Sequence, residues 1–183
     1  MLLVLLAACP HPVDITLTNV QVAPAMSTGA AWDGPERLDP AAGNVLGVLM
    51  GKLDPSGELS GSLKQAAAGL VLPDVAGTLE FRADPDASPV AGPIPEVADS
   101  LGPVWAPGVS TLRGVTLGPK SSLRVQLVDQ DVGGTDPVGV VVLSAGDLMR
   151  AEHLDGALTF PAADATSGQV LSVSVLVVRS KGE

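Results

Sequence analysis

Short apolar runs that alternate with polar residues recur through this chain. They constrain its fold more than any other feature. The clearest is Ser122–Asp129, where Leu123, Val125 and Leu127 alternate with Arg124 and Gln126. A period of two puts one face of an extended chain in a core and the other in water. Val13–Val22 has the same period, and Ala76–Phe81, Val109–Leu117, Val138–Leu143 and Val170–Val178 are further strand segments. Asn44–Leu53 is another apolar stretch, Leu59–Leu63 is a weaker strand, and Lys64–Leu72 has room for one helical turn. Arg82–Pro103 carries five prolines and little periodicity, so a loop is expected there. No repeat, heptad or long amphipathic helix is present. Val and Leu dominate the apolar residues, and 21 Gly and 16 Pro punctuate them. That combination predicts an all-β sandwich with many turns.

The chain has 183 residues, enough for one domain with a sizeable core. Its net charge is −10, which argues against nucleic acid as a partner because phosphate binding needs a basic face. An acidic surface suits divalent cations, and it also keeps an exported protein soluble. The single cysteine, Cys9, allows no disulfide within the chain and no thiolate metal cluster. His11 and His153 lie far apart in sequence with no ligand-type spacing. No Gly-x-Ser-x-Gly elbow or phosphate-binding loop occurs, and no pair of catalytic carboxylates stands apart from the other acids. A binding protein is expected rather than an enzyme, with no catalytic residue assigned.

Met1–Pro10 is an apolar run ending in small residues, too short to span a bilayer. Leu6-Ala7-Ala8-Cys9 resembles the bacterial lipoprotein lipobox. The resemblance implies cleavage before Cys9, a diacylglyceryl group on its thiol, and a lipid-anchored, extracytoplasmic place in a bacterial cell envelope. On this reading residues 1–8 are signal, 9–12 a tether, 13–179 the domain and 180–183 a tail.

Two segments concentrate aspartates. Asp33 and Asp39-Pro40 stand in the first; Asp129, Asp131 and Asp136, followed by Gly139, stand in the second. Hard cations such as calcium take six to eight oxygen ligands, several of them carboxylates, from adaptable loops. The second segment is not an EF-hand, since Gly133 and Val140 occupy ligand places. The pattern instead resembles the C2 domain family, whose first loop carries two aspartates six residues apart and whose third carries Asp-x-Asp and a further Asp. Gly102-Pro103-Val104-Trp105 stands where that family has Asn-Pro-x-Trp.

The resemblance implies an eight-stranded antiparallel C2-like β-sandwich with a long proline-rich insertion at about 54–99. It implies calcium held by Asp33, Asp39, Asp129, Asp131 and Asp136, and phospholipid or an envelope protein as partner. Carboxylates about 4 Å apart repel by roughly 4 kcal/mol per pair at an effective dielectric of 20, so converging aspartates favour a cation. The alternative is that each aspartate forms a turn, leaving a metal-independent scaffold for a protein or glycan. Trp32 and Trp105 are expected to anchor loops or the core.

Overall fold

Alternation decides which side of each strand is buried. In the computed structural model, which describes residues 9–23, 32, 72–131, 134–162 and 169–180, Leu123, Val125 and Leu127 are buried while Arg124 and Gln126 face solvent. They belong to strand β5 (Ser122–Asp131). The other strands are β1 (His11–Val22), β2 (Val75–Arg82), β3 (Val90–Val97), β4 (Thr111–Leu117), β6 (Gly134–Ser144), β7 (Leu158–Pro161) and β8 (Val170–Arg179). Among the described residues one helix, α1 (Ala145–Glu152), joins β6 to β7.

The eight described strands form two four-stranded sheets, ordered β4-β1-β8-β7 and β3-β2-β5-β6, and every pair is antiparallel. Ile15, Leu17 and Val175 of the first sheet share one buried core with Leu79, Phe81 and Leu127 of the second. At roughly 1.5–3 kcal/mol for each fully buried large side chain, this core is the main source of stability. Gly77 lets β2 and β5 approach closely, because a Cβ there would run into the Gln126 carbonyl.

The eight-stranded all-β sandwich matches the expectation, but three elements were not foreseen. β3 lies inside Arg82–Pro103, the stretch expected to be a loop. It pairs with β2 from Val90 opposite Phe81 to Val97 opposite Val75. Proline cannot donate to a ladder and so is confined to edges and bulges. β3 is an edge strand with an irregular register, and it tolerates Pro93 and Pro95 for that reason. β2 and β3 both fall in the range 54–99, so that range contributes two strands to the sheet. β7 is only four residues long. α1 begins with a capping box, in which the Ser144 hydroxyl accepts from the Asp147 amide and the Asp147 carboxylate accepts from the Ser144 amide. Asn44–Leu53, Leu59–Leu63 and all of Lys64–Leu72 but Leu72 lie outside the described residues.

The strand directions give the sandwich two distinct ends. The β1–β2, β3–β4 and β5–β6 connections leave from one end. The amide of Val22 donates to the Leu101 carbonyl, that of Ser100 to the Pro73 carbonyl and that of Gln130 to the Asp74 carbonyl, tying them together. The other end, the base, holds α1, the β4–β5 turn, and the chain on either side of the domain. β1 begins at His11, within the segment 9–12.

The base is fastened by two carboxylates. Asp14 accepts from the Ser180 hydroxyl (2.6 Å) and the Gly114 amide (2.8 Å), which hold its carboxyl below the ordinary value of 3.8. Burial pushes the Glu152 carboxyl up, but hydrogen bonds from Arg179 (2.8 Å) and His11 (2.9 Å) outweigh it, and it sits below its ordinary 4.5.

A carboxyl depressed in the folded state contributes stability above its unfolded value. That stability is lost as pH falls through the folded value. The contribution of Asp14 and Glu152 to the unfolding free energy should therefore be flat above about pH 5.5 and decline below pH 4. Glu152→Gln together with Asp14→Asn should lower the neutral plateau and flatten the acid decline. Urea unfolding across pH 2.5–7 checks this, and an unchanged acid slope in the double variant would count against it.

Candidate functional site

The β5–β6 hairpin carries three of the five aspartates singled out in the sequence. Its ladder continues past Leu127 through an irregularity, pairing Asp129 with Asp136 and Asp131 with Gly134. Asp129, Asp131 and Asp136 thus stand on the arms of a paired hairpin. Where an open loop was expected, strand pairing persists as far as Asp131 opposite Gly134.

Asp129 continues the buried phase of Leu123, Val125 and Leu127 and is wholly buried at the end of β5. A buried carboxylate needs compensating donors. Its Oδ1 accepts the Asp74 amide at 2.6 Å, and the Gln130 amide donates to the Asp74 carbonyl at 2.9 Å. Asp74 in turn accepts the Asp99 amide on its own Oδ1 at 2.8 Å. Asp99 has φ of 50°, the left-handed region that Asp tolerates better than most residues. One carboxylate relay therefore runs from β5 through the lead-in to β2 to the β3–β4 connection. Asp136 is exposed, directly across from Asp129.

Sequence reasoning missed Asp74 and Asp99. The Pro73-Asp74 pair is a turn signal ahead of a strand, and it was the one available clue to the first. Asp33 and Asp39 lie outside the described residues. Of Asp131 the backbone is described, in β5. Among the described residues, no three His, Cys, Asp or Glu side chains converge closely enough to hold a metal ion. The donors at this end are carboxylate and carbonyl oxygens, the chemistry a hard cation takes.

Both tryptophans anchor this end, as expected. Trp32, next to Asp33 in sequence, is buried and donates from Nε1 to the Ala23 carbonyl at 2.9 Å. Trp105 is buried and donates from Nε1 to the Pro95 carbonyl at 2.8 Å. Asn19 of β1 donates to the Pro103 carbonyl at 3.1 Å and bridges to Val104, laying the Gly102–Trp105 segment against the sheet. Val104 and Val109 remain exposed on this connection.

At the base, residues from opposite ends of the sequence line one open cleft of about 560 Å³: Cys9, Pro10, His11, Met149, Glu152, His153 and Arg179. His11 approaches the Cys9 carbonyl with Nδ1 and the Glu152 carboxylate with Nε2, each at 2.9 Å. Both partners are acceptors, so the ring satisfies both only with a proton on each nitrogen. Cys9 is exposed with a free thiol.

No family model matches the chain, and no curated protein sequence matches it. Solved structures do. A C2 domain of plant Extended Synaptotagmin 1 is 13% identical with a TM-score of 0.46, and the match covers 95% of this chain and 99% of that one. Human GIVD cytosolic phospholipase A2 is 12% identical with a TM-score of 0.49 over 96% of this chain. The calcium-bound pair of C2 domains from Extended-Synaptotagmin 2 is 14% identical with a TM-score of 0.47 over 92% of this chain. This chain spans 18% of the phospholipase and 46% of the two-domain synaptotagmin fragment. The sheet order stands on its own as an eight-stranded, all-β C2-like sandwich.

The relay makes a graded prediction. Asp129→Ala removes the acceptor of the Asp74 amide and should cost about 1–3 kcal/mol for that group alone. Asp129→Asn keeps an oxygen acceptor and should cost clearly less. Urea unfolding of the two variants checks this, and equal losses would contradict a hydrogen-bonding role for the Asp129 oxygen.

Proposed function

We propose that this chain is a calcium-binding C2-like module of a bacterial envelope lipoprotein, a binding protein and not an enzyme. Cys9 carries its lipid anchor, and its acidic loops engage phospholipid or an envelope partner. The observation that carries the calcium reading is the burial of Asp129 at the end of β5, with Asp136 across from it and Asp74 and Asp99 tied in beside it. Four carboxylates gathered at one end of a chain of net charge −10 favour a divalent counter-ion. The ligands in this reading are Asp33, Asp39, Asp129, Asp131 and Asp136, with backbone carbonyls completing the shell. Affinity is that of extracellular calcium modules, about 10⁻⁴–10⁻³ M. The lipobox-like Leu6-Ala7-Ala8-Cys9 supports the anchor. Among the described residues no helix is long and apolar enough to cross a membrane.

A second reading, a metal-independent scaffold for a protein or glycan, draws on one observation. The Asp129 oxygen that would meet calcium already holds the Asp74 amide, a purely structural use.

Thermal unfolding with calcium and with chelator at fixed ionic strength separates the two. A cation bound only by the folded state stabilises it by about 2.7 kcal/mol at one hundred times its dissociation constant. The midpoint should rise with millimolar calcium, and Asp39→Asn with Asp136→Asn should abolish the rise without touching the Asp129 relay. A midpoint indifferent to calcium would select the scaffold.

A further inference from the structure

We infer that the acidic end of the sandwich faces the aqueous side, away from the bilayer that holds Cys9, so that its ligand is not the phospholipid of that same bilayer. The inference rests on the Cys9 anchor proposed above and adds the orientation that the fold imposes on it.

Cys9 sits at the base. One residue, Pro10, separates it from β1, which starts at His11. One residue reaches no more than about 3.6 Å, and proline fixes its own φ. Pro10 also lies against Gly118 of the β4–β5 turn, where a Cβ would stand 3.5 Å from its Cγ. His11 is held to the Cys9 carbonyl and to Glu152, and Glu152 to Arg179 of β8, so the lipid-bearing residue is joined to three elements of the base. No slack remains for the domain to turn over.

The acidic end lies at the far end of β1. The strand has 12 residues, so the two ends stand about 36 Å apart at roughly 3.3 Å per residue. Lying flat would press charged side chains into the headgroups. The second sheet presents Glu80 beside Arg124, with the exposed Val142 next to them, and the first presents Asp14, Thr18 and Thr159, with the exposed Val178 opposite Asp14. Both ends expose apolar side chains, Leu154 at the base and Val104 and Val109 at the acidic end, so the seating of Cys9 and not surface apolarity decides which end meets the bilayer. The loops consequently address a ligand that arrives through water.

The test uses the full chain expressed in a bacterium and recovered from its membranes, with Val109→Cys at the acidic end or Lys120→Cys at the base. A lipidated Cys9 has no thiol, so a donor dye attaches only to the introduced cysteine, and intact mass reports the lipid. Each protein is placed in phosphatidylcholine–phosphatidylglycerol vesicles carrying a headgroup-linked acceptor, with calcium and with chelator. Energy transfer should be several-fold greater from position 120 than from position 109 in both conditions. Equal transfer from lipidated protein, or transfer from position 109 that rises to match with calcium, would overturn the orientation while leaving the anchor standing. A mass showing a free Cys9 thiol would remove the anchor, and the orientation with it.

Discussion

The Asp129 carboxylate, buried at the end of β5, constrains how this molecule can be arranged around it. A carboxylate cannot be withdrawn from water without donors to replace the lost hydration. Here the Asp74 amide supplies one at 2.6 Å, and Asp74 passes the constraint on to the Asp99 amide. Three connections that are distant in sequence are thereby drawn to one end of the sandwich. Asp74, Asp99 and Asp136 stand at the same end, so the feature that orders the loops also brings acids together there.

The base is built on the opposite principle. Its largely buried acid, Glu152, meets the exposed guanidinium of Arg179 at 2.8 Å and the His11 ring at 2.9 Å, both on Oε1. One carboxylate therefore ties together the end of α1, the start of β1 and the end of β8. The base is consequently suited to hold β1, α1 and β8 in fixed relation. A fastened base and an acid-rich opposite end fit the division of labour that the anchored reading requires.

How much of this was legible beforehand follows from what each element depends on. β5 and β1 were readable because Leu123, Val125 and Leu127, like Val13, Ile15 and Leu17, alternate without interruption, and little besides a half-buried strand produces that pattern. β3 was not, because Pro93 and Pro95 read as breakers unless the strand is known to be an edge, which only the assembled sheet reveals. α1 left a trace in Ser144-Ala-Gly-Asp147, but eight residues with Gly146 inside give too little periodicity. At the site, Asp129, Asp131 and Asp136 stood out because their order resembles that of the third loop of C2 domains. Asp74 and Asp99 did not, because their roles come from backbone amides meeting side chains across strands. The joining of His11 to Glu152 is likewise a product of topology, which returns the end of α1 to the start of β1.

The most direct test of the central claim, that the Asp129 end is where the protein meets a divalent cation, is a calcium titration followed by amide chemical shifts. Saturable shifts are predicted at the amides of Asp74, Asp99 and the stretch from Asp129 to Asp136, with those of His11, Glu152 and Arg179 at the base unmoved. Shifts spread evenly over exposed acids such as Asp84 and Asp155, or none at millimolar calcium, would contradict it and leave the Asp129 relay as a structural fastening alone.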